Sequence, residues 1–177
     1  DVEYLAEGET KVETFTFKLL DGNGGEIERT VSVTITGTND APVVSAEDVN
    51  GSVNELGTPV GNLTDSGILS FSDVDLTDTH YIGAITPSNG ALGSLTANVT
   101  TPTTGTGTGG EITWNYSVDA SDVEYLAEGE TKVETFTFTL FDGNGGEIER
   151  TVSVTITGTN DVPVVSAEDV NGSVNKL

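Results

Sequence analysis

The residues with chemistry to offer in this 177-residue sequence are side-chain oxygens gathered on loops. One loop reads Phe71-Ser72-Asp73-Val74-Asp75-Leu76-Thr77-Asp78, and another, Asp142-Gly143-Asn144-Gly145-Gly146, carries Asp142 and Asn144. Two short segments, Thr38-Asn39-Asp40-Ala41-Pro42 and Thr159-Asn160-Asp161-Val162-Pro163, add Asn39, Asp40, Asn160 and Asp161, while Glu55, Asp119 and Asp122 stand elsewhere along the chain. Calcium takes six to eight oxygens from carboxylates, amides and backbone carbonyls, so clustered Asp and Asn on turns suit it, and suit magnesium less. Neither loop is an EF-hand. Asp73 opens an Asp-x-Asp with no sixth-position glycine and with Ala84 where the bidentate Glu belongs, and Asp142 has Ser153 at that place. Any single Asp-Gly or Asn-Gly is also ordinary turn chemistry. For Asp119, Asp122, Glu124, Glu128 and Glu130, a solvated acidic connection and ligation stand side by side.

Catalysis lacks parts. His80 is the one histidine and cysteine is absent, so Ser-His-Asp, Cys-His and His-based zinc sites are missing members, and no carboxylate pair is singled out for glycoside hydrolysis. The expectation is a protein that is not an enzyme. His80 reads as a strand surface residue, and the Thr100–Gly110 stretch reads as a flexible, solvated loop whose hydroxyls could touch sugars.

Six Lys plus Arg stand against 29 Asp plus Glu, a formal charge of -23. Such a chain repels itself unless cations intervene, and it has no means of neutralising phosphates. Nucleic acid and anionic membrane surfaces are excluded as partners, and no apolar run approaches the ~20 residues of a membrane helix. Without cysteine there is no disulfide framework. Asp1-Val2-Glu3-Tyr4 has no leader features, which reads as a segment of something longer.

What positions the acidic loops is a repeat. Residues 1–56 recur at 122–177 with four changes: Lys18 to Thr139, Leu20 to Phe141, Ala41 to Val162 and Glu55 to Lys176. The last falls in a Lys-Leu ending of the kind a cloning junction encodes and carries no weight. An offset of 121 residues is too long for a solenoid turn of roughly 20–50, so each unit should be a domain. Proline ends a strand ladder, which puts linkers at Asn39–Pro42 and Asn160–Pro163. The expected organisation is the end of one unit (1–40), a complete unit (41–161) and the first strand of another (162–177). That last segment could also supply its strand to the 1–40 part of a second molecule.

Within the complete unit, Thr135–Leu140 and Thr151–Ile156 alternate apolar with Thr or Ser, the period of a half-buried strand. Phe136, Phe138, Leu140, Val152, Val154 and Ile156 should face one core, with Trp114 of the alternating 112–118 strand among them. Adding 42–46 with 51–54, then 68–72, 80–85 and 92–99, gives about seven strands, an all-β, immunoglobulin-like sandwich with Greek-key connections. Antiparallel strands alternate in direction. The loop at 71–78 and the turn at 142–146 therefore emerge where the first strand enters, beside Asn39 and Asp40, whereas Glu55, Asp119, Asp122, Asn160 and Asp161 gather at the far end.

Val152–Pro163, with Phe141-Asp142-Gly143-Asn144-Gly145-Gly146 before it and Phe71-Ser72-Asp73-Val74-Asp75 earlier, resembles the VCBS and cadherin-like repeats of bacterial RTX-type adhesins. The resemblance spans the chain. It implies type I secretion to the cell surface, an array held rigid by calcium at its linkers, a role in attachment or biofilm formation, and assignment of Asn39, Asp40, Asp73 and Asp75 to a junction metal. The expected function is a structural extender whose partners are neighbouring repeats. The alternative is a polysaccharide-binding module, for which Tyr81, Tyr116 and Tyr125 are scattered rather than arrayed.

Overall fold

The computed structural model describes residues 2–163, 165 and 171–176. Its strands are β1 (Thr10–Leu20), β2 (Glu26–Thr36), β3 (Val43–Glu47), β4 (Asn50–Asn54), β5 (Asn62–Ser72), β6 (Tyr81–Ile82), β7 (Thr86–Pro87), β8 (Ser94–Thr101), β9 (Gly110–Asp119), β10 (Thr131–Phe141) and β11 (Glu147–Thr157), with a 3-10 turn at Ala120–Asp122. β-Branched and aromatic residues at every second place suit a pleated surface with one dry face. In β10 and β11 that pattern pairs Phe136 with Val152 in an antiparallel hairpin.

Two sheets face each other. One runs β4-β11-β10-β6, with β7 also on β10, and the other runs β3-β5-β9-β8. Counting β3 with β4 as one split first strand and β6 with β7 as one split third strand, this is the seven-strand immunoglobulin-type sandwich with cadherin-like topology. The first strand changes sheets: β3 pairs antiparallel with β5, then β4 pairs parallel with β11. Between the sheets lie Leu69, Phe71, Ile112, Trp114, Tyr116, Val118, Phe136, Phe138, Leu140, Val152, Val154 and Ile156, all buried. The indole N–H of Trp114 donates to the carbonyl of Asp48 at 2.6 Å, which ties the buried ring to the crossing point of the first strand.

The third strand is shorter than the sequence pattern predicts. Only Tyr81–Ile82 and Thr86–Pro87 pair with β10. His80, expected on a strand surface, lies outside it with its side chain enclosed.

β1 and β2 form a separate two-stranded sheet that repeats the β10–β11 register residue for residue, Thr10 opposite Thr36 as Thr131 is opposite Thr157. No opposing sheet covers it among the described residues. Phe15 is 56 % exposed, while Phe136, its counterpart, is 1 % exposed. The predicted first strand at 162–177 falls partly on residues 164, 166–170 and 177, outside the described residues. Its described remainder is not in a strand.

Candidate functional site

Strand direction sets where the acids go. β5 ends at Ser72, opposite Val43 at the start of β3, so Asp73 leaves its strand beside the linker that brings Asn39 and Asp40. β10 ends at Phe141 on the same side, and Asp142 follows. In the turn after it, Gly143 and Gly145 take φ of 87° and 112°, a region that favours glycine. That curl lets Asp142 Oδ1 accept from the backbone N–H groups of Asn144 at 2.7 Å and Gly146 at 3.0 Å. Its Oδ2 accepts from Asn39 Nδ2 at 3.0 Å.

The loop after β5 is built the same way. Asp73 Oδ1 accepts from the Asp75 N–H at 3.0 Å, and Asp73 Oδ2 lies 2.9 Å from His80 Nε2. Asp75 Oδ2 accepts from the Asp40 N–H at 2.7 Å, and Asp78 Oδ1 accepts from Asn144 Nδ2 at 2.7 Å. Asp73, Asp75, Asp78 and Asp142 are all buried. One oxygen each from Asp73, Asp78 and Asp142 lie within 4.8 Å of one another. Glu7 joins at the edge, where its Oε2 accepts from the Asn39 N–H at 3.2 Å.

At the far end, the parallel pairing of β4 with β11 sets Asn54 opposite Thr157, so Glu55 and the second linker leave side by side. Glu55 Oε2 accepts from the Thr159 N–H at 2.7 Å. Glu55, Glu124 and Asp161 each bring an oxygen within 4.8 Å of the others. Asn160 is exposed and donates to the Asp161 carbonyl at 3.3 Å. Asp119 and Asp122, also expected at this end, are not in the group. Asp119 Oδ1 instead accepts from the N–H and hydroxyl of Ser121, capping the 3-10 turn, and those bonds pull its pKa down; Asp122 sits exposed in that turn.

Burying carboxylates without a counter-charge is costly unless a cation or proton arrives. Among the described residues no Lys or Arg pairs with any member of either group, and the only basic neighbour is His80 beside Asp73. Burial pushes the Asp75 carboxyl up; the Asp40 N–H opposes this, and the charges of Asp73, Asp40 and Asp142 add to it. Asp78 rises for the same first reason, opposed by Asn144 and reinforced by Asp75, Asp73 and Asp142. Glu124 rises through burial and then through the charges of Asp161 and Glu55.

Asn39 Oδ1, Asp75 Oδ1 and Asp78 Oδ2 at the near group, and Glu55 Oε1, Glu124 Oε1 and Thr159 Oγ1 at the far one, are buried with no hydrogen-bond donor. Buried acceptors are almost always satisfied. Oxygens held apart from donors and close to each other fit a hard divalent cation, and calcium's tolerance of irregular, oxygen-only shells fits this set.

Glu124, for which a solvated connection and ligation were both open, belongs to the far group, next to buried Val123. Two features escaped the sequence. His80 is enclosed against Asp73 with its ring 5.0 Å from that of Phe71. The Thr100–Gly110 stretch is not a free solvated loop: Asp73 N–H donates to the Gly107 carbonyl at 3.1 Å, Gly105 N–H to Leu76 at 2.7 Å, and Thr104 Oγ1 to Asp78 at 2.6 Å. Tyr116 is buried and donates its hydroxyl to Glu134 at 2.9 Å, so it offers no platform to a sugar. Both effects, burial first, push its pKa up.

No family model matches the chain, and no curated protein matches it. Among solved structures, it is similar to mouse clustered PcdhgC3 EC1-3 (18 % identity, 89 % of this chain and 45 % of that one, TM-score 0.45). The N-terminal domain of PorA matches at 15 % identity over 68 % of this chain and 99 % of that one, TM-score 0.40. Domains 4 and 5 of the S-layer protein SbsC match at 14 % identity, over 84 % of this chain and 70 % of that one, TM-score 0.38. The chain spans less than half of the protocadherin chain it matches. No helix among the described residues is long and apolar enough to cross a membrane.

Proposed function

We propose that this chain is a stretch of a calcium-dependent extender, a stalk of VCBS or cadherin-like repeats in a large secreted bacterial adhesin of the RTX type. The observation that carries this reading is the buried quartet Asp73, Asp75, Asp78 and Asp142, in which Asp75 Oδ1 and Asp78 Oδ2 have no donor while Asn39 and Asp40, from the linker to the preceding unit, bond to Asp142 Oδ2 and Asp75 Oδ2. A divalent ion there would be held by both sides of a junction. Bound, it supplies positive charge that cancels the carboxylate repulsion and makes the linker one body with the sandwich.

The far group is the complementary half. Glu55, Glu124 and Asp161 stand where a following unit would bring its own copies of Asp73, Asp75, Asp78 and Asp142. A direct contact accompanies the metal site: Leu76 N–H donates to the Tyr4 carbonyl at 3.4 Å, and Tyr4, Val74, Leu76 and Thr106 line a cleft of about 400 Å³. Tyr4, in this contact, is 37 % exposed, and its copy Tyr125 is 62 % exposed. Near-identical units suit a spacer, because every position in a stalk is asked for the same stiffness. In this reading the protein is extracellular, it is not an enzyme, and its partners are neighbouring repeats.

Small-angle scattering and thermal melting, each in calcium and in chelator, test the proposal. Chelation should lower the melting temperature and broaden the distance distribution as the linker loosens. Unchanged melting and unchanged dimensions would remove the calcium extender reading.

A further inference from the structure

The one histidine and the loop between β8 and β9 have no place in a bare list of cation ligands, yet they converge on the quartet. Thr103 is buried, and its hydroxyl lies 3.4 Å from His80 Nδ1; His80 Nε2 lies 2.9 Å from Asp73 Oδ2. An ionised Asp73 can only accept, so Nε2 carries the proton, and a neutral ring then accepts at Nδ1 from the Thr103 hydroxyl. The chain of donors runs Thr103 to His80 to Asp73. Asp73 Oδ1 is meanwhile committed to the Asp75 N–H, so the carboxylate is gripped at both oxygens and its plane is set before any ion arrives.

The same loop grips the quartet's backbone. Gly107 accepts from the Asp73 N–H, Gly105 donates to the Leu76 carbonyl, and Thr104 donates to the Asp78 carbonyl. The loop is itself braced: the Thr103 carbonyl accepts from the N–H groups of Thr106 and Gly107 at 2.9 and 2.8 Å. A glycine at 107 (φ 73°) lets the loop approach, since a Cβ there would stand 3.1 Å from the Asp73 carbonyl oxygen.

We infer that His80 and Thr103 are positioning residues for the junction cation, through which the loop between β8 and β9 sets the site's affinity by orienting Asp73. This rests on the calcium reading above. Partners of this kind, acting through a ligand, are typically worth about 10–100-fold in metal affinity.

The test is calorimetric titration with calcium chloride at pH 8, in an Asp161→Asn background that weakens the far group. His80→Leu and Thr103→Val should bind about 10–100-fold more weakly. His80→Gln, which keeps an amide N–H near the Nε2 position, and Thr103→Ser, which keeps the hydroxyl, should stay within a few-fold of the background. That rescue separates orientation of Asp73 from mere filling of space. Far-UV circular dichroism in chelator identifies a variant that has not folded, and if His80→Leu is one, the Thr103 pair decides. If the background protein binds calcium and Thr103→Val binds it equally well, the inference is wrong. If the background protein takes up no calcium at millimolar levels, the calcium reading itself fails, and this one with it.

Discussion

Replacing Asp78 with Asn should make the cation-free protein more stable and at the same time remove most of what calcium adds. The Asp78 side chain is buried, with Oδ1 accepting from Asn144 and Oδ2 lacking any donor. One of its oxygens lies within 4.8 Å of oxygens on Asp73 and Asp142. At an effective dielectric of ~20, two unit charges at that distance repel by about 3.5 kcal/mol, so the two pairs together oppose the fully ionised state by about 7 kcal/mol. Burial and then the neighbouring charges raise the Asp78 pKa while the bond from Asn144 opposes this, so the substitution releases only part of that repulsion. A gain of about 2 kcal/mol in chelator at pH 7 is expected, or a rise of roughly 8 °C in Tm for a domain of this size. The asparagine carbonyl can still accept from Asn144, so the local turn is kept.

In calcium the sign reverses. Ligand charge sets affinity in such sites, and losing one carboxylate should weaken binding about 100-fold. With free calcium at about 1,000 times Kd, the wild-type protein gains about 4 kcal/mol, and the variant at about 10 times its Kd gains about 1.4 kcal/mol. Scanning calorimetry in chelator and in calcium reads both effects. A variant that melts below the wild type in chelator, or that keeps the full calcium increment, would refute the picture of a self-repelling quartet waiting for a cation.

Three further outcomes follow from the same structure. In chelator, the raised pKa values of Asp75 and Asp78 mean that the folded state holds more protons than the unfolded chain. Their contribution to stability is therefore full below about pH 4, the ordinary carboxylate range, and is lost as pH rises through the raised values, whereas in calcium the ionised form is the one bound and the contribution is lost as pH falls. Melting curves of the wild type minus those of Asp75→Asn should slope in opposite directions in the two conditions; slopes of the same sign would contradict this. Trp114→Ala empties the centre of the sandwich and discards the bond to Asp48, so urea unfolding should show a loss of about 3–5 kcal/mol with or without calcium. Gly158→Ala would place a Cβ 2.4 Å from the Ala127 carbonyl oxygen and 2.5 Å from that of Leu126, so a loss of about 1–3 kcal/mol is expected, and an unchanged Tm would contradict it.

Much of the site was legible before any coordinates because two rules act on short range or simple parity. Period-two alternation in β10 and β11 announces a dry face, and antiparallel alternation sends the loop after β5 and the turn after β10 to the same end as Asn39 and Asp40. Those rules are silent on residues whose role is set by a distant neighbour. His80 reads as one more polar residue at the head of a strand until Thr103, 23 residues away, and Asp73 enclose it. Glu124 lies in a run of acids, and only the exit of β4 beside β11 brings Glu55 and Asp161 to it.

The repeat separates the two kinds of information within one molecule. Asp21 and Asp142 occupy the same sequence, and each holds its own turn by accepting two backbone N–H groups through Oδ1. Phe15 and Phe136 likewise sit at the same register of the same hairpin. Turn shape, strand register and which side chains share a face were thus determined by residues within a few positions, because they depend on local dihedral preference and hydrogen bonds between near neighbours. Burial was not. Phe136 is dry and Phe15 is not, and Asp142 joins a cluster of buried acids while Asp21 stays in water, because only the tertiary structure supplies the facing sheet, the neighbouring loop and the linker that remove water from those positions.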